Sequence, residues 1–216
     1  MEERNMAWPA IFVNVALLIL ELIALEHDIQ AFGVKMFKWY TIDSNLLQLA
    51  VSVLLAYHLL KDKHIPDYLT RLHFISAVAL TVTFLIVAMV LAPHGRFKYY
   101  FVNNVAPINH LFAPILSVSS LLFLEKAKEQ GVRIILYPAA TTLFYGLICL
   151  ILNAVGKLKG PYFFLEAGSQ PVYVILLWFG IIAVLCMSIA FIYYKIKWRQ
   201  KIFEVDKNIG HSPVSN

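Results

Sequence analysis

Two polar residues of the sequence, Thr41 and His110, have the side chains of a nucleophile and a base, and each stands near the start of an apolar run. A threonine hydroxyl is a weak nucleophile until a base removes its proton, and histidine is the usual base near neutral pH. If both runs are helices that enter a membrane from the same side, the two side chains lie at similar depth at one end of a bundle. The pair therefore predicts acyl-transfer chemistry, with Thr41 as nucleophile and His110 as base.

Several neighbours of this pair are candidates for binding the substrate or an oxyanion. Ser44 and Asn45 follow Thr41 by about one helical turn, and Asn109 directly precedes His110. The first backbone N–H groups of a helix have no partner within the helix and can bind an anion, and the positive end of the helix dipole would keep His110 neutral. We therefore expect these amides, helped by Ser44 or Asn45, to stabilise an oxyanion.

The acid that would orient His110 is left open between Glu21, Asp43 and Glu166. Asp43 lies about 200° around the helix from Thr41, so it is the poorer match to the same helix face. Glu21 falls in the outer half of the first apolar run, and ionisable groups inside a membrane usually face a polar interior. The gathering of polar residues at one end of the runs predicts a cavity that opens to the outer leaflet or the outer face.

Each of these residues also has a structural interpretation. Thr41 has the side chain of a helix cap, His110 could be an interfacial histidine bonded to a loop carbonyl, and Glu21 could hydrogen-bond a neighbouring helix. The hydroxyl residues inside the apolar runs are typical of helix packing: Ser117, Ser119, Ser120, Thr141 and Thr142. A non-catalytic binding or transport protein with a polar outer cavity, and a structural helix bundle, therefore remain alternatives to an enzyme.

The composition indicates that membrane helices position these residues. The 216 residues are 60% hydrophobic and 14% charged, with a mean hydropathy of +0.72, whereas a soluble domain carries far more charge. A membrane span needs about 20 apolar residues. The predicted spans are Trp8–Leu25, Ile42–Leu60, Leu72–Ala92, Ile108–Leu124, Val132–Ala154 and Val172–Tyr194. We expect an all-α bundle of six transmembrane helices over residues 1–194, followed by a basic and then polar tail over residues 195–216.

The distribution of basic residues predicts the orientation of this bundle. Of the 18 Lys and Arg residues, six fall in loops on one side of the predicted spans and twelve fall on the side that holds both termini. Because basic residues are in excess on the cytoplasmic side, both termini are expected in the cytoplasm. Anionic membrane lipids, rather than nucleic acid, are the expected partners of the net charge of +5. The expected location is the plasma membrane of a bacterium, or an endomembrane in a eukaryote.

No metal or cofactor is expected from the sequence. The histidines have no zinc-type spacing, and they pair poorly across spans for a haem. No phosphate-binding loop and no G-x-S-x-G elbow is present. Cys149 and Cys186 both lie inside apolar runs and belong to no metal or redox spacing. No internal repeat of the kind found in many transporters is visible.

Three short motifs occur in order along the chain and suggest a family. The first is Tyr40, Thr41, Ser44, Asn45 and Gln48, the second is Asn109, His110 and Pro114, and the third is Tyr162, Phe163, Phe164, Leu165 and Glu166. With their placement between six predicted spans, these motifs resemble the androgen-induced protein family, which includes the androgen-dependent regulator of tissue factor pathway inhibitor and bacterial relatives.

The resemblance implies a transmembrane threonine hydrolase that cleaves fatty acid esters of hydroxy fatty acids or similar lipids. The nucleophile of the family falls on Thr41 and its histidine on His110. Two positions depart from the family pattern: Ala113 stands where animal members have a second histidine, and Phe163 stands where the third motif usually has a proline. A membrane-embedded hydrolase of lipid or amphipathic esters, acting near the outer membrane face, is the resulting expectation.

Overall fold

The architecture is that of a helical membrane bundle. The computed structural model describes residues 8–93 and 95–199, and every regular element within these residues is a helix. Within these described ranges, five helices are long and apolar enough to cross a membrane, and a further apolar helix is shorter. The predicted all-α membrane bundle is therefore confirmed, and the chain is a multi-pass membrane protein. Residues 200–216 of the predicted tail lie outside the described part of the chain.

The six apolar helices are numbered here in chain order. They are α1 (Trp8–Phe32), α2 (Tyr40–Leu60), α3 (Asp67–Ile86), α4 (Ala113–Ser119), α5 (Leu136–Ala154) and α6 (Val172–Tyr194). π-helical turns lengthen three of them: Val87–Leu91 follows α3, Ile108–Phe112 and Ser120–Leu124 flank α4, and Lys195–Arg199 follows α6. The connections contain 3-10 turns at Gly33–Lys38, Val132–Ile135 and Phe163–Leu165, and a five-residue helix at Phe97–Phe101.

Helix α1 continues for about two turns beyond Leu25, the predicted end of the first span, and ends at Phe32. Its last two turns contain His27 and Asp28, two polar residues that end the apolar run and are therefore typical of a loop. In the structure Asp28 is buried and accepts a hydrogen bond from Asn109 Nδ2 at 3.2 Å. A buried polar partner therefore allows α1 to extend through residues that are not apolar.

Helix α3 lies at the centre of the bundle, in contact with α2, α4, α5 and α6. Phe74 and Val78 of α3 pack in the largest core cluster with Leu121 and Cys186. Helix α6, in contrast, exposes large apolar side chains such as Leu176. Apolar side chains on the outside of a membrane bundle face lipid, so α6 lies at the periphery. Helix α3, which contacts four other helices, is the inner support against which they pack.

A buried polar cluster joins three helices at the end of the bundle where α3 begins. His73 of α3 has its Nδ1 2.9 Å from the Glu125 carboxylate and its Nε2 3.3 Å from Ser117 Oγ. The hydroxyl groups of Ser117 and Ser76 both donate to Gln48 Oε1 at 2.7 Å. These hydrogen bonds connect α2, α3 and the extended α4, meaning α4 with its two flanking π-helical turns (Ile108–Leu124), in a region closed to solvent.

Further contacts bring two more helices to Glu125. Ser120 Oγ donates to Glu125 Oε1 at 2.6 Å, and Asn14 Nδ2 of α1 donates to Ser120 Oγ at 2.7 Å. Lys197, in the π-helical turn after α6, donates through Nζ to the Leu121 carbonyl and to the Glu125 carbonyl. Glu125 is therefore the point at which α1, α3, α4 and the end of α6 are held together.

Candidate functional site

A cavity of about 690 Å³ lies at the end of the bundle where α2 begins. Its wall includes Thr41, Asn109 and His110, three of the residues that the sequence predicts for the site. The rest of the wall comes mainly from the end of α1, the Val87–Leu91 turn and residues 96–106. Cavities of about 300–1,000 Å³ are typical of sites for small organic ligands. The polar cavity expected from the sequence is therefore present, and it contains the predicted nucleophile and base.

Thr41 occupies the first turn of α2, with Trp39 as the N-terminal cap residue. The N–H groups of Ile42 and Asp43 donate to the Trp39 carbonyl at 3.0 and 3.2 Å. The N–H groups of Tyr40 and Thr41 have no partner within the helix, and both face the Tyr162 hydroxyl oxygen. A buried hydroxyl therefore lies beside backbone amides at the positive end of a helix dipole, where an anion is stabilised.

His110 lies in the π-helical turn Ile108–Phe112, a kind of irregular turn that is frequent at functional sites. Its Nδ1 is 3.0 Å from the carbonyl oxygen of Ala106. Because a carbonyl can only accept a hydrogen bond, this contact assigns the proton of a neutral ring to Nδ1 and leaves the lone pair on Nε2. The ring also packs edge-on against Tyr100, with centroids 5.7 Å apart. In a neutral ring, the contact with Ala106 corresponds to the tautomer that a general base requires, and the ring also interacts with the Tyr100 carbonyl.

Ser44 and Asn45 lie one turn below Thr41, outside the wall of the cavity. The Ser44 hydroxyl donates to the Thr41 carbonyl at 2.9 Å, and Asn45 Nδ2 donates to the same carbonyl at 2.7 Å. Asn45 Nδ2 also donates to the Asn109 carbonyl at 3.4 Å. Both residues therefore use their donors to hold the backbone of Thr41 and Asn109.

The three acids considered for orienting His110 lie elsewhere. Asp43 is half-buried near Tyr145, on the side of α2 that faces α5. Glu166 lies in the loop after Leu165, and its carbonyl accepts a hydrogen bond from Ser169. Glu21 lines a separate small hollow between α1 and α2. The Ala106 carbonyl, rather than a carboxylate, is the hydrogen-bond partner that the described residues offer to Nδ1.

Tyr162 is a site residue to which sequence reasoning gave no role. It lines the cavity next to Thr41, in the loop before α6. Burial raises the pKa of Tyr162 to about 12, although an interaction with the Thr41 side chain lowers it. The phenol therefore keeps its proton near neutral pH and is a hydrogen-bond donor beside Thr41. Its presence in the third sequence motif was the signal that could have identified it.

A narrow apolar branch leaves the cavity at Thr41 and enters the bundle between α3, α5 and α6. It has a volume of about 50 Å³ and shares Thr41, Val87, Leu91 and Tyr162 with the larger cavity. Its deeper wall is formed by apolar side chains of the three helices, including Val82, Ile86, Leu143, Phe179 and Ile182. Thr41 therefore lies at the junction of a polar chamber and an apolar passage.

The order of hydroxyl, imidazole and carboxylate in Ser117, His73 and Glu125 resembles that of a hydrolase triad. These side chains are fully buried, and the Ser117 hydroxyl is already donated to Gln48. A substrate has no access to such a cluster. We therefore interpret it as a structural network, and the residues that can meet a substrate are those of the cavity.

Comparison with known proteins leaves the family open. No protein-family model, curated protein or solved structure matches the chain significantly. Among the described residues, no group of three or more His, Cys, Asp or Glu side chains is arranged to hold a metal ion. The geometry of the cavity is therefore the observation that indicates a function, and the motif resemblance stands beside it as an expectation.

Proposed function

We propose that this protein is a membrane-embedded hydrolase of lipid esters, with Thr41 as the nucleophile and His110 as the general base. The observation that carries the proposal is the position of Thr41 where the polar cavity meets the apolar branch, with His110 in the wall of the same cavity. A long-chain ester has the same division, since a polar carbonyl joins an apolar chain. Fatty acid esters of hydroxy fatty acids, or lipids of similar shape, are the proposed substrates.

In the first half of the reaction, Thr41 Oγ attacks the ester carbonyl carbon while its proton passes to His110 Nε2. The new C–O bond gives a tetrahedral oxyanion. When this intermediate collapses, the original ester C–O bond breaks and the leaving alkoxide takes the proton from His110. The hydroxy fatty acid leaves through the polar cavity, and the acyl chain stays bound to Thr41 with its first carbons in the apolar branch.

In the second half, a water molecule attacks the acyl-threonine carbonyl and gives a proton to His110 Nε2. The tetrahedral intermediate collapses, Thr41 Oγ leaves with the proton from His110, and the fatty acid is released. Each half begins and ends with a neutral imidazole, and its Nδ1–H···O contact with Ala106 keeps the ring in one orientation throughout.

The oxyanion of both intermediates needs donors close to Thr41. We assign this role to the Tyr40 and Thr41 N–H groups at the start of α2 and to the Tyr162 hydroxyl, in place of Ser44 and Asn45. The oxyanion takes the position of the Tyr162 oxygen that these two N–H groups face, and the phenol donates to it. The donors of Ser44 and Asn45 are held by the Thr41 carbonyl. Their role in this proposal is to fix the backbone that carries Thr41.

His110→Gln is expected to lower kcat for a long-chain ester about 100-fold, because glutamine can still donate to the Ala106 carbonyl but has no basic nitrogen. The measurement is the rate of fluorogenic long-chain ester hydrolysis by the purified full-length protein in detergent. His58→Gln is the matched control, because His58 Nδ1 also lies 3.0 Å from a carbonyl oxygen, that of His64, away from the cavity. Full activity of His110→Gln would exclude His110 as the base.

Tyr162→Phe is expected to lower kcat roughly 10- to 100-fold and to leave KM nearly unchanged, because only the donor to the oxyanion is removed. Steady-state kinetics on the same ester measure both constants. Tyr173→Phe, at an exposed position in the first turn of α6, is the control. A rise in KM without a change in kcat would assign Tyr162 to substrate binding instead.

A second candidate function is the binding of an amphipathic lipid without turnover. It is favoured by the Tyr100 carbonyl, which also interacts with the His110 ring. If that carbonyl accepts a hydrogen bond from an Nε2–H group, both ring nitrogens are donors and His110 cannot act as a base. Fluorophosphonate probes distinguish the two functions, because they label an activated hydroxyl and do not label a binding protein.

A further inference from the structure

A second, smaller hollow lies between α1, α2 and the start of the extended α4. Glu21 and Asp28 of α1, Asn45 of α2 and Asn109 line it, and each of the four is more than nine-tenths buried. Its volume is about 10 Å³, which is close to the space of one water molecule or one ion. The remaining wall is apolar: Ala24, Leu25, Ile42, Leu46 and Leu49. Four oxygen-bearing side chains therefore surround one ion-sized space.

Three oxygen atoms of these side chains have no hydrogen-bond donor in the structure: Glu21 Oε1, Asn45 Oδ1 and Asn109 Oδ1. The orientation of both amides is fixed by their nitrogen atoms. Asn45 Nδ2 donates to the Thr41 carbonyl at 2.7 Å, and Asn109 Nδ2 donates to Asp28 Oδ2 at 3.2 Å. Rotating either amide would replace a good contact by a repulsive one. Buried acceptors without a donor are rare in folded proteins, so these oxygens point to a missing ligand.

The chemistry of the four residues favours a cation over a water molecule. A water has only two hydrogens, whereas the hollow presents three unpaired oxygens and the carboxylate of Asp28 as well. Two carboxylates bring negative charge to the hollow, and His27 Nδ1 lies 3.4 Å from Asp28 Oδ1. Carboxylate and amide oxygens are the ligands of hard cations such as Na⁺ and Ca²⁺. Mg²⁺ fits less well, because it usually retains several waters.

We propose that this hollow binds a single hard cation, Na⁺ or Ca²⁺, through oxygen atoms of Glu21, Asp28, Asn45 and Asn109. The ion joins α1, α2 and the first turn of the extended α4. Since Asp28 and Asn109 also line the large cavity, the ion fixes the backbone next to His110. The proposal stands independently of the hydrolase reaction, because it concerns binding and stability.

The test is the thermal unfolding midpoint of the full-length protein in detergent, in choline chloride at constant ionic strength. NaCl, KCl, CaCl₂ or MgCl₂ replaces part of the choline salt. Na⁺ or Ca²⁺ is expected to raise the midpoint in a saturable manner, by roughly 5–10 °C at 100 times its dissociation constant, with a smaller effect of K⁺ and Mg²⁺. The salt that acts identifies the ion. A midpoint that no cation changes would overturn the proposal, and a proton shared by Glu21 would then account for the unpaired oxygens.

Variants locate the ion in the hollow. Glu21→Gln and Asp28→Asn should each remove most of the cation-dependent shift, because each deletes one charged ligand while keeping its shape. Glu26→Gln is the control, because Glu26 is an exposed carboxylate on the same helix. A shift of wild-type size in both Glu21→Gln and Asp28→Asn would place the ion elsewhere and contradict the assignment. If one variant does not fold, the cation-dependent shift of the midpoint in the other variant decides whether the ion lies in the hollow.

Discussion

Thr41→Ala is expected to abolish both ester hydrolysis and fluorophosphonate labelling, with a loss in kcat of about 10⁴-fold or more. The proposed reaction passes through an acyl-threonine, and without the hydroxyl no covalent intermediate can form. The substitution is small, and Thr41 Oγ lines the cavity, so the fold should tolerate the change. Labelling of the purified protein by a fluorescent fluorophosphonate, beside wild type, measures the effect without knowledge of the natural substrate.

The control for Thr41→Ala is Thr141→Ala on α5. Thr141 is an exposed threonine in an apolar helix, and its hydroxyl bonds only to the carbonyls of its own preceding turn. This variant should label like wild type. Equal labelling of Thr41→Ala and wild type would show that another residue carries the probe, and the threonine mechanism would be wrong. No labelling of well-folded wild type would favour the binding function.

Glu125→Ala is expected to lower the free energy of unfolding by about 3–5 kcal/mol and the unfolding midpoint by roughly 10 °C. Removing the carboxylate leaves His73 Nδ1 and the Ser120 hydroxyl buried without their partner. Lys197 keeps its contact with the Glu125 backbone carbonyl, because alanine retains it. Scanning fluorimetry or static light scattering of the protein in detergent gives the midpoint.

Glu129→Ala is the matched control, since Glu129 is an exposed carboxylate in the same connection and its substitution should change the midpoint little.

The pH dependence of stability provides a second test of the role of Glu125. Burial raises the pKa of Glu125. Its interactions with His73, Ser120 and Lys197 lower the pKa by more than burial raises it, so the pKa lies below the ordinary value of 4.5. The folded protein then binds fewer protons than the unfolded chain, so this stabilisation is present above pH 4.5 and is lost as the pH falls through the folded pKa. The gap between wild type and Glu125→Ala should therefore narrow in acid; equal midpoints at pH 7 would contradict the role of Glu125.

The helices were predictable because long apolar runs have few alternatives in a membrane, where the backbone must satisfy its own hydrogen bonds. The common cavity of Thr41 and His110 was predictable for a related reason. When spans alternate in direction, residues that start the second and fourth spans lie at the same end of the bundle. The end of α1 was not predictable, because Asp28 is stabilised by Asn109, which lies 81 residues away along the chain.

The partners of the polar residues also could not be read from the sequence. Sequence spacing left three acids as candidate partners of His110. In the structure the partner is the backbone carbonyl of Ala106, four residues earlier, which the turn at the start of the extended α4 brings close to the ring. The pairing of His73 with Glu125 joins residues 52 positions apart. A single chain carries no signal for such a contact, because each residue alone is equally compatible with a loop or an interface.

The extended α4 has a consequence for the surrounding bilayer. From Ile108 to Leu124 it has 17 residues and rises at most about 25 Å, which is less than the roughly 30 Å thickness of a typical hydrocarbon core. Hydrophobic mismatch of this kind is relieved by local thinning of the membrane. Local thinning brings the glycerol and headgroup layer closer to the membrane centre beside His110, near the start of this helix. This geometry would let an amphipathic molecule reach the cavity by lateral diffusion within the membrane, with its polar group at the depth of the cavity and its tail still solvated by lipid.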